Sequence, residues 1–214
     1  MQAVRLIALR HGETAWNADG RIQGQLDIGL NDTGLWQAQR LARALADEPL
    51  HAVHTSDLLR AHQTAQPLAL GAGLPVQGNA GLRERHLGDF QGRTVPEIEA
   101  LWPDQYRAWR ERRPDFAPSG GGESLLQFRD RIMATVNTLA RAQGQGQIAV
   151  VAHGGVMDLL YRAATGQELQ TPRTWTLANA AINRLLWTPG SLTLVGWADT
   201  QHLNRTALDD ESLS

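Results

Sequence analysis

The chain has no cysteine among its 214 residues. Disulfides, a cysteine nucleophile and a thiolate metal site are therefore excluded. An excess of one charge is lacking too: 20 basic against 22 acidic residues leave a formal net charge of -2. Nothing in that balance points to a nucleic acid or an anionic membrane as partner. Long hydrophobic runs are missing, and no apolar stretch reaches the roughly 20 residues that a spanning helix needs. The run from Met1 to Leu9 is too short for a secretory leader, so the chain is expected to be soluble and cytoplasmic. There is no His-Glu-x-x-His and no dense carboxylate cluster, so neither a metal nor a cofactor is expected. Repeats and long linkers are also absent, and the length suits one domain over 1–214 with a sizeable core.

What is present alternates between two periodicities. Strands are expected at 4–9, 51–55, 75–78, 147–152, 181–187 and 192–198. Helices are expected at 32–47, 57–70, 95–101, 103–113, 123–143 and 154–165. Asp32 is the expected N-cap of the first, ahead of Leu35, Ala38, Leu41, Ala42 and Leu45 at helical spacing. The early alternation of strand and helix argues for βαβ units and a largely parallel sheet. The last two strands, joined by Thr188-Pro189-Gly190-Ser191, read as a hairpin. Residues 114–122 form a loop, and the tail after His202 is expected to fray.

Two strand ends carry the chemistry. The run Ile-Ala-Leu stops at Arg10-His11-Gly12, and the run 148–152 stops at His153-Gly154-Gly155. Ligand sites of open α/β sheets lie beyond the carboxyl ends of strands. Two histidines delivered there, one beside an arginine, suit a phosphate group. Arg60 and Glu84 follow two further strand-like segments, 52–55 and 76–77.

Six stretches then occur in one order: RHGETAWN (10–17), RIQGQLDIGLNDTG (21–34), TSDLLRAHQTA (55–65), LRERHLGDFQG (82–92), GGES (121–124) and VVAHGGV (150–156). Together they resemble the histidine phosphatase superfamily, also called phosphoglycerate mutase-like, from about Leu6 to His202. The resemblance implies an α/β fold: a three-layer α/β/α sandwich with a mostly parallel central sheet. It also implies a small helical cap inserted at about 95–120. The aromatics there (Trp102, Tyr106, Trp109, Phe116) read as an inward-packed face. Arg112 and Arg113 read equally as solvated side chains or as substrate contacts.

The expected catalytic set is His11, Glu84, His153, Arg10 and Arg60. A neutral imidazole is not repelled by a dianionic ester, and histidine is largely neutral above its ordinary pKa of ~6.5. His11 is the expected nucleophile from its position, and the resemblance agrees. Arginine forks suit phosphate oxygens. Arg10, Arg60 and His153 are placed around the phosphate by the resemblance, His153 as a charge-assisted donor when it is protonated. Glu84 is the family's general acid, then its general base. Asn17, Gln23 and Gly24 match substrate-side positions. Arg83 and Gly154 join Arg112 and Arg113 as substrate-binding candidates, Gly154 at a helix N-terminus suited to an anion.

The superfamily holds both phosphatases and mutases. Here the stretch Pro114 to Gly121 is short, and Leu87 and Val95 stand where the cofactor-dependent mutases keep a tyrosine and a lysine. The expectation is therefore a phosphohydrolase acting on a small phosphorylated metabolite, with no nucleic-acid or membrane partner and a homodimer left open. A phosphoglycerate mutase is the alternative. A non-catalytic phosphate- or phosphopeptide-binding module is the third reading, disfavoured because His11 and Glu84 are both present.

Overall fold

In the computed structural model of the chain, residues 2–204 are described. The elements run β1 (Ala3–Arg10), α1 (Ala15–Ala18), α2 (Asp32–Ala44), β2 (Ala52–Thr55), α3 (Leu59–Gly71) and β3 (Val76–Gly78). They continue with α4 (Val95–Leu101), α5 (Pro103–Arg110), α6 (Leu125–Gln143), β4 (Gln145–Ala152), α7 (Gly154–Thr165), β5 (Ile182–Thr188) and β6 (Ser191–Asp199). Short 3₁₀ turns stand at Ala80–Leu82, Gly88–Phe90 and Gln201–Leu203.

The continuous apolar runs have a geometric cause. Successive strand side chains point to opposite faces, and both faces of this sheet are covered. Val4, Leu6 and Ala8 of β1 enter one core, with Phe128, Ile132 and Val156 of α6 and α7. Ile7 and Leu9 enter the other, with Leu41, Ala61 and Leu68 on the side of α2 and α3. The result is three layers. Each fully buried Leu- or Ile-sized side chain contributes roughly 1.5–3 kcal/mol.

The sheet order is β3-β2-β4-β1-β5-β6. Strands β1 to β4 are parallel where they pair, while β5 is antiparallel to β1 and to β6. The direction of β5 matters for the site. Ile182 at its start pairs with Leu9 at the end of β1. The chain must therefore cross the carboxyl edge of the sheet to reach β5, and residues 166–181 make that crossing. The β5–β6 hairpin turns at Pro189-Gly190, as expected, with Thr188 paired to Ser191.

A third, smaller core lies apart from the sheet. Leu87, Phe90 and Ile98 are buried there, with Trp102, Tyr106, Trp109 and Phe116 packed against them. The aromatics of this segment do face inward.

Several expectations need correction. Asn31, not Asp32, caps α2, because its side chain accepts from the Gly34 N–H at 2.8 Å. Asp32 sits in the first turn, and Leu35 remains 45% exposed on the outer side of the helix. Helix α2 ends at Ala44, and α5 stops at Arg110 because Arg112 takes a left-handed φ of 53°. Helix α6 starts at Leu125, where Ser124 and Gln127 form a reciprocal capping box. The frayed tail expected beyond His202 falls largely outside the described residues. Among the described residues no helix is long and apolar enough to cross a membrane.

Candidate active site

Parallel pairing sets Arg10 opposite Ala152, and the His11 N–H donates to the Ala152 carbonyl at 2.9 Å. The next residue on each strand is a histidine. His11 and His153 are thereby neighbours, with ring centroids 5.3 Å apart and planes tilted by 59°. His11 Nδ1 lies 2.6 Å from the Gly12 carbonyl oxygen. A carbonyl can only accept, so Nδ1 carries the ring proton and Nε2 keeps its lone pair. Burial, then the charges of Arg10 and Arg60, hold the His11 pKa well below the usual imidazole value. His153 is depressed by burial, Arg60, His11 and Arg10, in that order. The buried imidazole is therefore held neutral by its surroundings.

The two arginines are oriented by carbonyls. Arg60, in the first turn of α3, donates to Leu26 O at 2.8 Å and to Gly24 O at 2.7 Å. Gly24 adopts φ +52°, and a Cβ there would lie 2.2 Å from Gln91 Oε1. Only glycine can make the turn that offers this carbonyl to Arg60. Arg10 donates to the Leu177 carbonyl in the 166–181 crossing. Desolvation lowers both guanidinium pKa values, that of Arg60 to about 10, which leaves Arg60 charged at neutral pH.

Four buried nitrogens of the arginines and His153 are left over. Arg10 Nε, Arg60 Nε and both ring nitrogens of His153 have no hydrogen-bond partner among the described residues. Buried polar atoms are rarely left so, since each costs about 1–3 kcal/mol. All belong to groups near enough to act on His11 or His153 electrostatically. Gln23 is buried nearby in sequence to Gly24, with its Oε1 also unpartnered. Asn17 closes the capping box of α1 and shares its Oδ1 with Asn179, whose amide also donates to the His11 carbonyl at 2.9 Å.

Glu84 faces this group from the loop after β3. Oε1 accepts from the Arg85 N–H at 2.8 Å and Oε2 from the Gly155 N–H at 2.8 Å. Its own carbonyl accepts from Gln25 Nε2 at 3.0 Å and Arg131 Nη2 at 3.2 Å. Arg131 is held in turn by Glu123, through bonds of 2.7 Å to each carboxylate oxygen. No local motif marks Gln25 or Arg131; their role depends on α6 passing beneath the Glu84 loop.

Three expected binding residues are placed otherwise. Arg83 forms a two-bond pair with Asp57, at 2.7 Å each, on the exposed rim. Arg112 donates to Leu169 O at 2.7 Å and to Asp158 Oδ2 at 2.8 Å, in a cluster that Arg162 completes. Arg113 is exposed. Gly154, by contrast, sits against the Arg10 guanidinium, where a Cβ would lie 3.4 Å from Nε. Arg173 was not expected at all. It lines one open pocket of about 580 Å³ together with Arg10, Gly154, Gly155, Trp175 and Leu177. A larger groove of about 1000 Å³ runs between α2 and α3, but none of the expected site residues lines it. Chemistry, not size, selects the smaller one. Among the described residues no cluster of three His, Asp or Glu could hold a metal ion.

The chain is similar to known proteins over most of its length. The sequence pattern of the histidine phosphatase superfamily (branch 1) matches residues 6–200. The chain is 39% identical over 204 residues to phosphoglycerate mutase-like protein 4 of Arabidopsis thaliana, covering 94% of this chain and 87% of that protein. It is 36% identical over 206 residues to a metal-independent phosphoserine phosphatase of Arabidopsis thaliana, covering 95% and 84%. The structure of a mycobacterial glucosyl-3-phosphoglycerate phosphatase superposes with a TM-score of 0.82 at 34% identity, covering 93% of this chain and all (100%) of that one.

Proposed function

The chain belongs to the histidine phosphatase superfamily, and from that premise we propose that it hydrolyses small phosphomonoesters through a phosphohistidine on His11. The observation that carries this is the set of buried, unpartnered nitrogens on Arg10, Arg60 and His153 around a histidine whose Nε2 is free to attack. A tetrahedral oxyanion is a ligand that accepts from both arginine Nε–H groups and from a ring N–H of His153 at once.

In the first step His11 Nε2 forms a bond to phosphorus as the ester P–O bond breaks. Arg10, Arg60, His153 and the Asn17 amide hold the three equatorial oxygens. Protonated Glu84 gives its proton to the leaving alkoxide. In the second step Glu84 takes a proton from water, whose oxygen bonds to phosphorus as the P–N bond breaks. Inorganic phosphate leaves, and Glu84 is again protonated. Charge is neutralised by guanidinium and imidazole groups, so no metal enters either step. Gln23 and Gly24 line the substrate side, and residues 95–120 serve as the cap, their aromatics packed against Leu87, Phe90 and Ile98.

Hydrolysis is favoured over phosphoglycerate transfer by three placements. Leu87 packs into the third core, Val95 begins α4, and Arg112 is bound to Asp158. None is available to hold a second carboxylate-bearing ligand while water is kept out. The test is an enolase-coupled assay with 3-phosphoglycerate and 2,3-bisphosphoglycerate, run beside phosphate release from a panel of phosphomonoesters. Phosphate release should dominate. Formation of 2-phosphoglycerate much faster than any hydrolysis would assign a mutase instead.

A further inference from the structure

We propose that Arg173 determines specificity by binding a carboxylate carried by the substrate, so that the preferred esters are phosphorylated carboxylic acids. The proposal rests on the phosphomonoester reading above and adds to it the class of the esterified molecule.

Arg173 is exposed, and its guanidinium has no hydrogen-bond or ion-pair partner among the described residues. It nevertheless faces the same pocket as Arg10 and the N-terminus of α7. Its charge reaches Arg10, whose pKa it helps to lower. Two like charges near one cavity repel unless an anion sits between or beside them. The phosphoryl group accounts for Arg10, and Arg173 is left for a second anionic group.

The backbone around Arg173 is held by its neighbours on both sides. On one side, Arg162 donates to the carbonyls of Glu168 and Thr171. On the other, Trp175 stacks on Tyr161 at 4.1 Å and lies beneath the Arg162 guanidinium at 4.7 Å. Beyond it, Trp197 Nε1 donates to Thr176 O at 3.0 Å, and Arg10 donates to Leu177 O. Arg173 thus projects from a short span pinned at both ends. Little ordering entropy remains to be lost beyond that of its own side chain. A single guanidinium matches a monoanion through two parallel N–H···O bonds. A second phosphate dianion would be under-compensated, because the buried cations are committed to the first.

The test uses a matched pair, 3-phosphoglycerate and glycerol 1-phosphate, which differ by a carboxylate in place of a hydroxymethyl group. The wild-type enzyme should prefer the carboxylate-bearing ester in kcat/KM, mainly through KM. Arg173→Gln should lower that preference about tenfold or more, as loss of a charge-assisted pair implies. Arg173→Lys should keep part of it. Arg107→Gln removes an exposed charge from the cap helix and should leave the preference unaltered. An equal loss on both esters in Arg173→Gln, no preference in wild type, or a stronger preference for a bisphosphate would each overturn the proposal. Calorimetric binding of phosphonoacetate and methylphosphonate to wild type and Arg173→Gln gives the same ratio without turnover. A preserved binding ratio with no hydrolysis of any ester would sink the phosphatase reading alone; a missing ratio with normal hydrolysis would sink only the role of Arg173.

Discussion

Gly155 holds the Glu84 carboxylate and leaves room for it. Its N–H donates to Oε2 at 2.8 Å, and a Cβ at this position would lie 2.2 Å from Oε1. The helix that begins beside His153 therefore also positions Glu84, the proposed general acid. Gly155→Ala must push the carboxylate away from the leaving oxygen. It should slow alkyl phosphates about 10- to 100-fold, toward the loss expected of Glu84→Gln, since a positioned acid contributes about 10²–10⁴-fold. p-Nitrophenyl phosphate, whose phenolate leaves without a proton, should be affected far less by either change. Comparable losses on both ester types would show that Glu84 binds substrate and does not transfer protons.

The buried histidines make the fold sensitive to acid. His11 and His153 are both held neutral in the folded protein, and burial lowers His54 and His202 as well. In the unfolded chain each titrates near ~6.5. Above that value both states are neutral. Below it the unfolded chain binds protons that the folded one refuses. Stability is thus complete above about pH 6.5 and falls as pH drops toward the folded-state values, by about 1.4 kcal/mol per pH unit for each such histidine. Urea unfolding at a series of pH values should show this decline, shallower in His153→Asn. Inorganic phosphate supplies the counter-charge that burial withholds from His153, so its binding should take up a proton, measurable by calorimetry in two buffers. Stability that stays flat or rises on acidification would contradict the assignment.

Arg112 is held by protein partners, the Leu169 carbonyl and Asp158. It shares Asp158 with Arg162, and Asp158 has a side chain only 7% exposed. Arg112→Ala leaves Asp158 with one partner, so the cost should be about 1–2 kcal/mol and not the full penalty of an unpaired buried charge. Unfolding should report that loss, while kcat/KM stays within about threefold. A tenfold or larger rise in KM at unchanged stability would return Arg112 to the substrate.

Turnover should survive exhaustive EDTA treatment unchanged. Vanadate should inhibit competitively, because it offers the trigonal-bipyramidal oxygens that Arg10, Arg60 and His153 are arranged to bind. A requirement for Mg²⁺ that follows the ion into and out of the enzyme would contradict this.

Much of the site was legible because it sits at strand ends. Arg10-His11 and His153 announce themselves as polar residues closing apolar runs, and parallel pairing does the rest. Glu84 and Arg60 needed the family pattern, since a loop glutamate and a helical arginine carry no signal of their own. The ion pair of Arg112 carries no local signal, because its partner Asp158 lies 46 positions along the chain. Arg173 was invisible for a different reason. The direction of β5 places its loop over the carboxyl edge of the sheet, and hydrophobic patterning marks a strand without giving its direction. Asn31 and Asp32 are both good caps, and only the φ/ψ of the turn decides between them.

The most direct test of the account is to trap the covalent intermediate. Wild-type enzyme mixed with a rapidly cleaved phosphomonoester and quenched in alkali should carry one phosphoryl group, stable to base and lost in acid. Peptide mass spectrometry should place it on His11. His11→Ala should carry none and lose about 10³-fold or more in kcat. A phosphoryl group on another residue, or near-normal turnover in His11→Ala, would contradict the account at its centre.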